Sequence, residues 1–378
     1  CLEDICMGKL HGLVSGLDVC STLHMSVSLD DLDWCLDQIM PANPAYLMSL
    51  PTKNDPMLSY LTTAYQDHVR IREKFGYKVN DAMWDFFKRI QIIDQNDKPT
   101  AHFGDPTWVY YQYLLAKGDK RPQDQIMAEG KQKFDAIHGV WLKTAQRVPL
   151  AAGYGKNIWD LNPELDAKIR SLYADAKKAI WAEFTPEFIK SIPNGVQLST
   201  MSTDRENYIV HPDTGEKLSE QSVAMLTKLR DSWAGKEPDV QIVISDGLNA
   251  NSIMTQGHLM PYLTEVKKEL QAAGLTVGEQ NLVVTMGRVR AGYQIGDILF
   301  SKSDPNKHRA VIHIIGERPG SGQNAYSVYI AAPKSQVWAE KKVDHDIVKV
   351  VCGISTLATK PDVAAKQTVR LLKGMMEI

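Results

Sequence analysis

The chain holds no run of about eighteen apolar residues, which excludes an ordinary membrane-spanning helix. Its opening, CLEDICMGKLHG, lacks the charged, apolar and small-residue order of a signal peptide, so a cytoplasmic protein is expected. It begins on Cys1 in what reads as the middle of a folded element, and a fragment of a longer protein is therefore expected. Charge of one sign is also scarce. The formal net charge of -2 offers no large basic field for a phosphate backbone, which leaves small molecules and proteins as partners rather than nucleic acid or membrane. Cys1, Cys6, Cys20, Cys35 and Cys352 are odd in number, crowd the start and show no C-x-x-C spacing, so reduced, unliganded thiols are expected. No G-x-S-x-G, P-loop or H-E-x-x-H is present, nor any internal repeat or low-complexity tract.

What remains is ordinary globular composition, 44% apolar and 23% charged over 378 residues, enough for two or three domains. Up to about residue 115 short glycine-rich apolar stretches alternate with helices such as SLDDLDWCLDQI, where Ser28 can cap and Asp30 and Asp31 favour the helix dipole. AKGDKRPQDQ, residues 116 to 125, is polar and turn-forming and marks a boundary. Helices then dominate to about 195: Asn162 and Pro163 make an N-cap and first turn, and Ile169, Leu172, Ala176 and Ile180 form a packing stripe. GYGKNIWD, residues 153 to 160, reads as a loop. Beyond 197 strands alternate with helices: VQIVISDG, NLVVTMGRV, RAVIHIIGE and AYSVYIAA as strands, LMPYLTEVKKELQAAG and DVAAKQTVRLLKGMM as helices. That alternation predicts an α/β fold with a mostly parallel sheet covered on both faces.

Open α/β sheets bind ligands beyond the carboxyl ends of their strands. The clearest strands end in SDGLN, MGRVR and GERPGSG, which offers Asp246 and Asn249, Arg288, and Glu317 with Arg318 at one edge. Any one of them could be an ordinary polar loop residue or a backbone cap; three such turns together point to a site. GSGQNA matches a loose dinucleotide pattern, but a strand rather than a helix follows it, so no helix N-terminus awaits a pyrophosphate. Cys6, His11, Cys20 and His24 could be drawn as zinc ligands, yet their spacing fits no common site. Asp18, inside the apolar segment SGLDVC, needs a partner for its carboxylate and is either a helix cap or the anchor of a cationic ligand. Met57 in NDPMLSY reads as a gap-filling core residue.

LEDICMGKLHGLVSGLDVC, YLMSLPTKNDPMLSYLTTAYQD and FGDP resemble the C-terminal part of the large subunit of ethanolamine ammonia-lyase, to about residue 109. FTPEF, DVQIVISDGL, GRV with QIGDIL, and GERPG with GQ resemble that enzyme's small subunit, over about 184 to 378. The order implies a fused chain. It implies the C-terminal part of a TIM-barrel domain over 1–115, a helical connector over 116–196, and a Rossmann-like α/β small-subunit domain over 197–378. The stretch 116 to 183 is unlike either subunit and stands where the family has its GRAG segment and arginine-rich helices.

The resemblance implies a radical lyase that uses adenosylcobalamin to turn ethanolamine into acetaldehyde and ammonia. Carried over by position, Asp18 is a substrate-binding residue, and Met57, Val289 and Glu317 are cofactor contacts; Ile347 and Cys352 are both candidates for a third small-subunit contact, with Cys352 preferred. It also implies a homo-oligomer through the large-subunit domain, in the cytoplasm or a bacterial microcompartment within it. The first barrel strands are missing, so the chain is expected to need the remaining N-terminal barrel portion for catalysis. A non-catalytic cobalamin-binding or subunit-docking module is the alternative; a dinucleotide enzyme rests only on the alternating pattern and the loose glycine match.

Overall fold

A computed structural model describes residues 1–50, 53, 55, 61–145, 162–320 and 324–377. Met57, the stretch 153–160 and residues 321–323 therefore lie outside the described residues. The chain divides into two units, one of Cys1–Cys20, Ser28–Lys53 and Thr62–Ala167, the other of Ser21–Val27, Asn54–Leu61 and Lys168–Ile378. No described helix is long and apolar enough to cross a membrane.

The first unit carries helices α1 (Leu2–Leu10), α2 (Leu29–Ile39), α3 (Tyr65–Phe75), α4 (Asp81–Arg89), α5 (Pro106–Ala116) and α6 (Gln123–Ala145). Strands β1 (Gly16–Leu17) and β2 (Tyr46–Leu47) pair in parallel, with α2 between them in the chain. A further parallel bridge joins Leu50 to Ala64 just before α3. Helix α2 starts where its sequence directs: the Ser28 hydroxyl accepts from the Asp31 amide and the Asp31 carboxylate accepts from the Ser28 amide at 2.8 Å. Leu29, Leu32, Leu36 and Ile39 then bury one face.

In the second unit six strands run in the order β3-β5-β4-β6-β7-β8, with β3 Gly195–Ser199, β4 Val240–Ser245, β5 Asn281–Thr285, β6 Ala310–Gly316, β7 Tyr326–Ala331 and β8 Lys349–Ile354. Strands β3 to β6 are mutually parallel and β7 is antiparallel to both its neighbours. The sheet is thus mostly parallel, as the alternation predicted, with edge strands β3 and β8 added to the four that the sequence made plain. Helix α7 (Pro163–Ala179) begins in the first unit and runs into the second, and among the described residues nine more follow: α8 (Pro186–Ser191), α9 (Arg205–Val210), α10 (Pro212–Glu216), α11 (Glu220–Ser232), α12 (Ala250–Met254), α13 (Leu259–Ala272), α14 (Val289–Phe300), α15 (Ser335–Ala339) and α16 (Pro361–Met376).

Side chains alternate across a strand, so β4 feeds two cores. Ile242 and Ile244 pack with Leu263, Val266 and Leu270 of α13 and Val369 and Leu372 of α16. Val243 packs on the opposite face with Ile295 and Leu299 of α14, Leu226 of α11 and Trp338 of α15. Burial on both faces explains why β4 and β6 are mostly apolar rather than alternating, and their buried polar side chains are paired: Gln241 donates to the Gln280 carbonyl at 2.7 Å, and His313 Nε2 lies 2.8 Å from the Ser245 hydroxyl. The chain passes from β4 to β5 by α13 on one face and from β5 to β6 by α14 on the other, so the strand order reverses beside β4.

Close backbone approach fixes the edge at that reversal. A Cβ on Gly316 would stand 2.3 Å from the Asp246 carbonyl oxygen, and Gly247 adopts φ +55 where a Cβ would meet the Gly316 carbonyl. The Leu248 amide donates to that same carbonyl at 3.1 Å. Gly316→Ala is expected to destabilise the chain by roughly 1–3 kcal/mol through overpacking, read as a lower urea midpoint at unchanged m. Gly374→Ala, on α16 in open space, is the control and should stabilise by less than about 1 kcal/mol.

Candidate functional site

The carboxyl ends of the parallel strands line one edge of the second unit's sheet. Just past β4, Asp246 is fully buried, and its carboxylate accepts from the Met286 amide at 3.0 Å, the Gly287 amide at 3.2 Å and the Arg205 guanidinium at 3.3 Å. Burial pushes its carboxyl up to about 6, while Arg205 and the two amides pull in the opposite direction. Arg205 also donates Nε–H to the Ile180 carbonyl at 3.0 Å.

The turn that Asp246 holds, Met286 and Gly287, leads through Arg288 into α14. Tyr208, fully buried, is sandwiched by two guanidinium groups: Arg205 lies 4.7 Å and Arg288 4.6 Å from its ring centroid. Its hydroxyl donates to the Gly287 carbonyl at 3.2 Å, and Arg288 donates to the Tyr208 carbonyl at 3.0 Å. Arg288 is thus committed to the scaffold. Asn249 has a similar task, since its amide donates to the Asn324 side chain at 3.0 Å and ties the loop after β4 to the one after β6.

Val289, the first residue of α14, packs partly buried against the core. One residue on, Arg290 pairs with Asp344 through two nitrogens at 3.2 and 3.3 Å and with Glu216 at 3.1 Å. That pairing fastens the start of α14 to the turn His345–Ile347 ahead of β8. Tyr293 Oη lies 3.1 Å from His345 Nδ1, and the His345 ring also meets Tyr329 at 6.2 Å.

Glu317 follows β6, and its amide donates to the Ala325 carbonyl at 3.3 Å. Burial pushes its carboxyl up. Tyr329 is pushed up to about 12, first by burial and then by the charges of Glu317 and Cys352. Tyr329 and Tyr293 both meet His345, at a ring-centroid distance of 6.2 Å and an Oη–Nδ1 distance of 3.1 Å. Cys352 is exposed on β8, and Ile347, 38% exposed, ends the preceding turn. The charges of Arg318 and Arg288 reach His24, whose pKa is lowered first by burial and then by those two groups.

In the first unit Asp18 follows β1 directly, is exposed and caps no helix. The Thr62 hydroxyl donates to its Oδ1 at 2.8 Å. Among the described residues no three of His, Cys, Asp and Glu gather as metal ligands, and all five cysteines are free.

The sequence singled out Val289, Glu317 and Cys352 as candidates but not Arg205, Tyr208, Tyr293, Tyr329 or His345, which the structure places among the groups around the strand ends. The signal for Arg205 and Tyr208 was slight: they share a face of the short helix α9, behind the Asp204 N-cap, far from the strand whose carboxylate they serve.

A mostly parallel six-stranded sheet with helices packed on both faces, and polar glycine turns at the carboxyl ends of its strands, defines an α/β protein whose candidate site is that strand edge. Family models match the chain in two stretches: "Ethanolamine ammonia lyase large subunit (EutB)" over residues 1–102, and "Ethanolamine ammonia-lyase light chain (EutC)" over residues 140–378, more than half of the chain. The chain belongs to the ethanolamine ammonia-lyase family, with large-subunit and light-chain sequence fused in one polypeptide, and is by family a carbon-nitrogen lyase. The light-chain match reaches back to residue 140, so α7, in the stretch that the resemblance left unassigned, falls within it.

Asp246 holds its proton more tightly in the folded chain than at its unfolded pKa of 3.8. Its contribution to stability is full below about pH 4 and is lost as pH rises through about 6. The stability difference between the parent and Asp246→Asn should fall across that window by on the order of 2–3 kcal/mol and be flat above it, measured by urea unfolding at a series of pH values.

Proposed function

We propose that this chain binds adenosylcobalamin at the carboxyl edge of its six-stranded sheet and serves the conversion of ethanolamine to acetaldehyde and ammonia. The observation that carries this reading is the largely buried Glu317 carboxyl just past β6 at that edge, in a chain that matches both subunits of the family. A corrin ring is flat and apolar with a fringe of amides, so it needs an apolar face and polar groups around it. Val289 offers the first, and the Glu317 carboxyl and the Tyr329 hydroxyl offer the second. The residues fit the group. When bound, adenosylcobalamin supplies radical chemistry through its weak cobalt-carbon bond.

Each residue then has a defined task. Glu317 accepts from peripheral amides, and its partly buried setting shields those bonds from water. Cys352, exposed on β8, is taken as the third contact, with Ile347 in the turn ahead of that strand as the other candidate. In the first unit, Asp18 pairs with the substrate ammonium: Thr62 restrains one carboxylate oxygen, and the exposed group keeps acceptor capacity for a cation. Met57 is assigned to the cofactor by the family pattern alone. Within this reading the first unit is part of a TIM barrel through which the enzyme oligomerises, and residues 197–378 form a Rossmann-like cofactor domain.

Equilibrium titration with adenosylcobalamin, followed by its visible absorbance, tests the reading. Glu317→Ala should weaken binding about tenfold, the effect of a lost bond to a charged group, and Glu317→Gln, which still meets an amide, should lose less. Unchanged affinity in Glu317→Ala and Met57→Ala alike would count against it.

A further inference from the structure

A second arrangement lies in the first unit, on α3. His68 and Arg72 stand one helical turn apart and share a face. Both line a cavity of about 280 Å³ whose other walls include Met40, Ile71, Tyr77 and Lys78. No aspartate or glutamate is among the residues lining it. Tyr77 is already engaged, donating to the Met40 carbonyl at 2.7 Å, and Lys78 pairs with Asp81 at 2.9 Å on the surface.

Arg72 differs from the other basic residues of its helix. Arg70 and Lys74 pair with Asp37 at 2.7 Å each, whereas Arg72 has no hydrogen-bond or ion-pair partner among the described residues. Its pKa is lowered by burial alone. A half-buried guanidinium without an anion keeps unused donor capacity in a setting that favours pairing.

His68 supplies the complementary feature. Burial lowers its pKa first and the Arg72 charge lowers it further, which favours the neutral imidazole. A ring hydrogen bond to the backbone of Met48 takes one ring nitrogen, and the other, Nε2, is buried without a partner among the described residues. The cavity thus presents a fork of unused donors beside one unused acceptor. An occupant that satisfies both carries oxygens for the guanidinium and a proton for the imidazole.

We propose that the cavity formed by His68 and Arg72 is a binding site for a small proton-bearing oxyanion, of which hydrogen phosphate is the simplest. Its tetrahedral oxygens accept from the Arg72 fork while its hydroxyl donates to His68 Nε2. Sulfate has the same shape and no proton at neutral pH, so it satisfies Arg72 and leaves His68 unpaired.

Calorimetric titration of the full chain with inorganic phosphate at pH 7.5 and constant ionic strength, with sulfate and chloride as controls, tests this. Saturable binding at one site per chain is expected, with sulfate at least about tenfold weaker. Arg72→Gln should abolish it, Arg72→Lys should retain part, and His68→Phe should erase the preference for phosphate over sulfate. In nitrogen-15 spectra of the imidazoles, the His68 signals should move on adding phosphate to the parent and stay put in Arg72→Gln. No saturable binding, or binding unaltered in both Arg72 variants, would overturn the proposal. So would an oligomer that dissociates in Arg72→Gln without any phosphate response, which would give the guanidinium to a carboxylate of a second copy.

Discussion

A carboxylate buried at the end of a central strand has to be satisfied, and the groups that satisfy Asp246 set the shape of the strand edge. Two of its three donors are consecutive backbone amides, of Met286 and Gly287, and the third is a guanidinium from α9. The ladder holds β5 beside β4; the carboxylate holds the turn that follows β5. Met286 adopts φ 54, a left-handed conformation that an unbranched side chain accepts only at some cost, and the two amide bonds keep it there. Remove that constraint and the start of α14, with Val289 and Arg290, loses its fixed position.

The edge therefore separates support from presentation. Asp246, Arg205, Tyr208 and Arg288 form a network directed at one another and at backbone carbonyls, with Arg205 Nη2 and Arg288 Nε left without a hydrogen-bond partner among the described residues. Val289 opens α14 beside Arg290, whose pair with Asp344 fastens that helix start, while Glu317 leaves β6 and Cys352 lies exposed on β8, all three outside that network. Such a division suits a large, weakly directional ligand, for which pre-organised placement of a few polar groups matters more than any single strong bond. The Gly247 and Gly316 contact serves the same end by letting the loops after β4 and β6 lie against each other.

Strands β4 and β6 were legible because burial on both faces keeps most of their residues apolar, and α13 because its apolar period ends at Gly274, which has φ +75. Strands β3 and β8 were not, since edge strands are half exposed, and Gly353 with φ +67 interrupts β8 further. The antiparallel sense of β7 had one trace, the lack of a helix between β6 and β7. At the site, residue type and position at strand ends identified Glu317 and Asp246 but not their different tasks. Asp246 became scaffold because Arg205, 41 residues earlier, reaches it, and no local pattern encodes a pairing over that separation.

Amide hydrogen exchange on the full chain with and without adenosylcobalamin tests the central claim most directly. The account predicts that the cofactor slows exchange at the turn 286–289, the segment after β6 at 317–320, and β8, and leaves the far ends of the same strands unchanged. Protection confined to other surfaces, or none at saturating cofactor, would contradict it.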